Sequence, residues 1–171
     1  MGKSPYIIFF FHPKWLTVSV CLFLLSHKIL ASAPNDEVEQ FFTAYCQAVE
    51  KFDQEKIQDF YALPSLIAGQ SSNEVLTDTD ILLTSAQRRL GYLRTIGLKT
   101  CKATIVNIIE FSPQFRQAEI DWAFYVGNNN VAIDFKTYYT LKYEKEEWRI
   151  VFALDPFENE KLSQFNRAIN N

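Results

Sequence analysis

The sequence predicts an α+β domain in which N-terminal helices cover one face of an antiparallel sheet. Three observations predict it. Apolar residues recur at spacings of three and four from Val38 to Phe52 and again from Ile81 to Ile96, the period of helices with one buried stripe. Beyond Gly97 the period shortens to two over four β-rich segments separated by turn residues. Helices precede strands instead of alternating with them, which excludes the order of a parallel sheet.

The first helix starts at Asn35 or Asp36, either of which can cap it, and carries Val38, Phe41, Phe42, Tyr45, Val49 and Phe52 on its core face. Helical spacing continues from Asp53 to Ala62 through Ile57, Phe60 and Tyr61, and Pro64 stops it. Ser65 to Ala68 reads as a short extended piece, Gly69 to Asn73 as a loop, and Glu74 to Leu76 as a brief strand. Thr77 or Thr79 is placed to cap the next helix, which carries Ile81, Leu82, Ala86, Leu90, Leu93 and Ile96 and ends at Gly97. Strands follow at Lys102 to Phe111, Gln117 to Val126, Val131 to Tyr143 and Trp148 to Leu154. Ser112-Pro113, the Gly127 to Asn130 run and Glu144 to Glu147 separate them.

The strands have two unlike faces. One phase holds Ile120, Trp122, Phe124 and Val126, then Val131, Ile133, Phe135, Tyr139 and Leu141, then Trp148, Ile150, Phe152 and Leu154. Helices must cover that face. The other phase holds Glu119, Asp121, Tyr125, Asp134, Lys136, Tyr138, Lys142 and Arg149, which suits water or a polar partner.

Composition bounds the function. With 171 residues, 48% of them hydrophobic and 15% aromatic, the chain can bury one sizeable core, and disorder is excluded for most of its length. A formal charge of −3 provides no basic footprint, so nucleic acid is excluded as a partner. Residues 1–33 hold Lys3, Lys14, Lys28 and both histidines but no acid. There the apolar run Trp15 to Leu25 is followed by Ala31-Ser32-Ala33, the layout of a secretory signal peptide. That layout predicts export to the periplasm or outside the cell. A retained anchor over Tyr6 to Leu25 is the alternative and the one route by which the chain would meet a membrane.

Without those 33 residues the chain has 14 basic and 20 acidic side chains, a charge of −6, and no histidine. Ser-His-Asp and Cys-His catalysis and histidine metal sites are thereby excluded, and no metal or cofactor is expected. Two cysteines remain, Cys46 and Cys101. They could pair in an oxidising compartment, but small buried cysteines are common and the sequence favours two unpaired ones.

Phe135 to Ile150, FKTYYTLKYEKEEWRI, resembles the penultimate strand, hairpin and final strand of the nuclear-transport-factor-2-like superfamily, with its tryptophan-basic-isoleucine signature at Trp148, Arg149 and Ile150. Phe41 to Pro64, FFTAYCQAVEKFDQEKIQDFYALP, resembles the first helix of that superfamily together with the segment after it. The resemblance covers residues 36–155 and implies a cone-shaped fold shared with ketosteroid isomerases and SnoaL-like cyclases. It implies a pocket between curved sheet and helices, lined by Tyr45, Phe60, Tyr92, Trp122, Phe124, Phe135, Tyr139, Trp148 and Phe152. Such a stripe is either plain core or an apolar ligand box with tyrosine hydroxyls as handles.

In the isomerases a carboxylate base works with a tyrosine and a protonated acid. The resemblance puts Tyr45 at the tyrosine, but the acid positions hold Gly69 and Tyr139, so that reaction is not expected. A hydrolase arrangement of acids and arginine would have to draw on Arg88, Arg89, Asp121 or Asp134, which read as solvated. The expected function is a non-catalytic exported domain binding a small apolar or amphipathic ligand in the cone. The alternatives are a scaffold forming a homodimer through its sheet and, remotely, a carboxylate- or tyrosine-based isomerase, cyclase or hydrolase. Protein recovered from an exporting host should begin near residues 32 to 34 by intact mass. A retained Met1 with membrane pelleting would favour the anchor.

Overall fold

The computed structural model describes residues 34–70, 72–127, 131–156 and 158–170, and the expected leader over 1–33 lies outside the described residues. In chain order the elements are α1 (Pro34–Glu50), α2 (Gln54–Gln58), β1 (Tyr61–Gly69), β2 (Asn73–Leu76), α3 (Thr79–Thr95), β3 (Leu98–Ser112), β4 (Phe115–Val126), β5 (Val131–Glu144), β6 (Glu147–Asp155) and α4 (Glu158–Asn170). Among the described residues no helix is long and apolar enough to cross a membrane.

The strands form one sheet in the order β2-β1-β6-β5-β4-β3. The meander β3 to β6 is antiparallel as expected, while β1 lies parallel to β6 and makes the sheet mixed. Bulges bend it. In β3 the register slips at Lys99, Val106 and Phe111, and each extra residue kinks the strand and increases its twist.

The slip in β6 has a larger effect. Leu141 pairs with Ile150 and Thr140 with Phe152, so Val151 is an unmatched residue. Alternation restarts one residue late. Ala153 and Asp155 therefore face the core, and Phe152 and Leu154 turn to the outer side, against the phase expected from the sequence.

Two further expectations are corrected near the helices. Helix does not run from Asp53 to Ala62. Phe52 adopts φ 54°, its N–H bonds to Val49 O at 3.0 Å, and Asp53 N–H bonds to Ala48 O at 3.0 Å, which closes α1 in a Schellman motif. Asp53 then caps α2 by accepting the Lys56 N–H at 2.9 Å, and Tyr61 and Ala62 already belong to β1. The cap of α3 is neither Thr77 nor Thr79 but Asp78, whose Oδ1 accepts the Ile81 N–H at 3.0 Å. Gly97 ends that helix region at φ 78° as expected, close against Gly127, whose N–H bonds to Gly97 O at 2.8 Å.

The core lies between the inner sheet face and α1. Val38, Phe42, Tyr45, Cys46 and Val49 follow the helical period and are buried. Cys46 and Cys101 form a disulfide with Cα atoms 5.8 Å apart, joining α1 to β3, so the preference for unpaired cysteines is overturned. The sequence could not reveal this because the pairing depends on β3 passing beside α1.

At the other end, Trp148 fastens the start of α1. Its Nε1 donates to Glu37 Oε2 at 3.1 Å, the Arg116 guanidinium lies 4.3 Å over its ring, and Tyr143 packs 5.1 Å away. Trp148→Ala should cost roughly 3 to 5 kcal/mol in chemical denaturation, as for other buried large aromatics. Arg149→Ala, which removes contacts at the sheet's surface, should cost less than about 1 kcal/mol. Equal small losses would refute this strand phase.

Candidate functional site

Six of the nine expected lining residues come together, and they fill the concavity of the sheet. Tyr45, Phe60, Trp122, Phe124, Phe135 and Tyr139 are all buried. Their rings meet mostly edge to face, Tyr45 with Phe60 at 5.2 Å, Tyr45 with Trp122 at 5.9 Å, and Phe124 with Phe135 at 4.9 Å. Phe42 of α1 completes the cluster, 4.8 Å from Tyr139 and 6.1 Å from Trp122. Packing of this kind is interior. Trp148 sits at the far corner, and the β6 bulge carries Phe152 to the outer side. Tyr92 lines an open cleft elsewhere.

That cleft, of about 550 Å³, lies where β1, β2, α3 and α4 meet. Ile67 and Gly69 come from β1, Asn73 and Glu74 from β2, Ser85, Arg88, Arg89 and Tyr92 from α3. Asp155 ends β6, and Glu158 and Leu162 come from α4. Ile67, Ser85 and Arg89 also line a recess of about 20 Å³ that reaches inward to Tyr45, Tyr61 and Leu82. The cleft is therefore polar at its rim and apolar with tyrosine hydroxyls at its inner end.

Local structure explains each placement. On α3 the core-facing stripe passes through Leu82, Ser85, Ala86, Leu90 and Leu93, and Arg89, three and four residues from Ala86 and Leu93, falls within it. Asp155 reaches the inner side through the bulge at Val151, and its Oδ1 accepts the Glu158 N–H at 2.8 Å. Glu158 is thereby directed inward and pairs with Arg89, whose Nη2 donates to Oε2. The Tyr92 hydroxyl donates to Leu162 O at 3.1 Å, a second tie to α4. Arg88 is held by Glu74, with Nη2 2.9 and 2.8 Å from its two oxygens, and Ser85 Oγ donates to the same carboxylate at 2.7 Å.

The electrostatics centre on Arg89. Burial pushes the Glu158 carboxyl well above the usual carboxylate range, while the Arg89 guanidinium pulls it back and Asp155 adds to the rise. Burial works against the Arg89 cation, but the Glu158 carboxyl beside it outweighs that, so Arg89 stays charged. The Tyr61 and Tyr139 hydroxyls are raised mainly by burial. They are neutral and able to donate. Tyr61 and Tyr45 hydroxyls lie 3.2 Å apart at the inner end. The arrangement can seat an oxyanion on a guanidinium and a polar group on tyrosine hydroxyls.

Sequence reasoning missed Arg89, Tyr61, Asp155 and Glu158 as site residues. Arg89 was detectable, because its position shares the apolar stripe of α3, whereas Asp155 depended on a bulge and Glu158 on the return of α4. Cys46, Glu50 and Cys101 gather within 4.8 Å. The cysteines are bonded to each other and Glu50 Oε1 accepts the Cys101 N–H at 2.8 Å, so this trio is not free to hold a metal.

The family described as NTF2-like protein (DUF6841) matches residues 36–155. No curated protein matches the sequence. Among solved structures, an NTF-2 like protein of unknown function from Shewanella oneidensis MR-1 is similar at TM-score 0.61 and 13% identity, over 72% of this chain and 99% of that one. A domain of unknown function with a cystatin-like fold from Nostoc punctiforme PCC 73102 is similar at TM-score 0.60 and 12% identity, over 80% and 88%. A ketosteroid isomerase-like protein from Erwinia carotovora atroseptica SCRI1043 is similar at TM-score 0.54 and 12% identity, over 71% and 93%. Likeness at these identities shows the fold alone.

Arg89→Met leaves the buried Glu158 without its counter-charge and should lower unfolding free energy by roughly 1 to 3 kcal/mol. Adding Glu158→Gln should recover much of that loss. Simple addition of the two losses in urea denaturation would show the groups to be uncoupled.

Proposed function

The chain belongs to the NTF2-like protein (DUF6841) family, and on that premise we propose that it is an exported domain that binds a small amphipathic molecule and performs no reaction on it. Folds of this kind carry many activities, so the reading rests on the site. The observation that carries it is the cleft at the mouth of the cone, large enough for a small ligand, charged at Arg89 and apolar towards Ile67 and Leu82. The binding place is thus the mouth and its recess, with Tyr45 and Tyr92 as the residues retained from the expected lining. Export is supported by the leader-like layout of residues 1–33 and by the Cys46–Cys101 bridge, which suits an oxidising compartment.

A role without chemistry is supported by how the acids are engaged. Asp155 caps α4, Glu74 holds Arg88, and Glu158 is paired to Arg89. Asp121 and Asp134 are exposed on the outer side of the sheet, away from the cleft. A second reading, a homodimeric scaffold, is favoured by one observation. The edge strand β3 and the start of β4 expose Val106, Ile109, Phe111 and Phe115, an apolar row on which a second copy could pack.

The test uses anilinonaphthalene sulfonate, an amphipathic anion that fluoresces in apolar surroundings. It should bind the protein, and Ile67→Trp, which fills the recess, should weaken binding at least about tenfold, or about 1.4 kcal/mol, with an unchanged unfolding midpoint. No turnover of an enolisable ketone should accompany binding. Absence of dye binding in a protein that sediments as a dimer would replace this reading with the second.

A further inference from the structure

Part of the chain already occupies the charged end of the cleft. Glu158 stands in the first turn of α4, and only 3% of it is exposed. It meets Arg89 through a single oxygen and a single nitrogen. Its other oxygen, Oε1, is buried and has no hydrogen-bond partner among the described residues. A guanidinium satisfies a carboxylate best with two parallel N–H bonds, and a buried carboxylate oxygen without a donor is unfavourable. Held by the helix that carries it, Glu158 is an incomplete partner for Arg89.

We propose that Glu158 is a place-holder for a monocarboxylate ligand, whose carboxylate takes over Arg89 while its apolar chain lies along the cleft beside Ile67 and α4 moves off the mouth. The proposal rests on the cleft being the binding site, and adds the class of ligand and what controls entry. Four observations support it. The group now on Arg89 is itself a carboxylate, so the site has the charge and shape for one. Among the described residues lining the cleft the cations are Arg88 and Arg89, and Glu74 already holds Arg88. Asp155 and Glu74 line the same cleft and would repel a dianion such as a phosphate monoester. Finally, the ties that must yield at the start of α4 are the Asp155 cap, the Tyr92 bond to Leu162 O and the buried Leu162 side chain, while further along the helix Phe165 packs against the core.

The exchange leaves Arg89 with one carboxyl partner in either state, so its desolvation is common to both. On one side of the balance stands the packing that α4 gives up, and on the other the ligand's apolar burial together with the return of Glu158 to water. A ligand that binds only the open state shifts α4 towards it, and its apparent affinity is reduced by the fraction of protein closed by Glu158.

The probes are octanoate and its neutral counterpart octanamide, titrated calorimetrically against the full chain and against Glu158→Gln. Octanoate should bind the wild type and bind Glu158→Gln at least about tenfold tighter, with octanamide changed by less than about twofold. In hydrogen exchange of the wild type, octanoate should speed exchange in residues 160–167 and slow it around Ile67. That measurement decides the matter if the variant does not fold. Octanoate binding that is unchanged or weaker in Glu158→Gln, or α4 exchange that slows on binding, overturns the proposal. Equal binding of octanoate and octanamide leaves the cleft as the site and removes the place-holder. Failure of both probes on both proteins removes the cleft reading and the proposal with it.

Discussion

Ring-on-ring packing inside the curved sheet is the constraint that sets the position of the site. Phe42 and Tyr45 descend from α1 onto Trp122, Phe124, Phe135 and Tyr139, and Phe60 closes against Tyr45. Each ring removes a large apolar area from water, and close-packed interiors leave little unfilled space between such groups. A domain of this size needs that burial to fold. What is filled for stability is closed to a ligand, so the open volume is displaced to the mouth, where α3 and β1 diverge and polar groups enter.

The mouth is shaped by one inserted residue. Val151 shifts the alternation of β6, turns Phe152 outward and brings Asp155 inward, and Asp155 then caps the turn of α4 that delivers Glu158. Without the bulge, Leu154 would face the core and Asp155 the solvent. Sheet, cap and ion pair thus form a sequence of dependencies ending at Arg89. Burial of Glu158 makes the pair sensitive, since removal of Arg89 leaves a buried acid without compensation.

The fold was largely legible in the sequence and the site was not, for a physical reason. Periods of two and 3.6 are written in neighbouring residues, so α1, α3 and the four-strand meander could be read from Val38 to Leu154 with ends displaced by a few residues. Features decided by contacts distant in sequence could not. Phe52 sits in a left-handed conformation that a bulky residue rarely adopts, tolerated here with Arg94 4.7 Å from its ring. The Cys46–Cys101 bridge spans 55 residues, and the parallel pairing of β1 with β6 spans more. Arg89 shares the apolar stripe of α3, yet beside Arg88 it reads as half of a solvated pair, although Arg88 is 67% exposed and Arg89 only 30%. Most of the expected lining aromatics do face inward, Phe152 and the half-buried Tyr92 being the exceptions, but inward-facing is not the same as ligand-facing.

The central claim is that the aromatic cone is core and that the ligand enters only the mouth. The indole N–H of Trp122, buried and without a hydrogen-bond partner among the described residues, lies at the centre of that cone, while Arg89 lies at its opening. Nitrogen-proton correlation spectra recorded during an octanoate titration report on both at once. The account predicts that the Arg89 side-chain signal moves with the titration while the Trp122 indole signal keeps its position. A Trp122 indole that shifts while Arg89 stays fixed would place the ligand among the rings and contradict it.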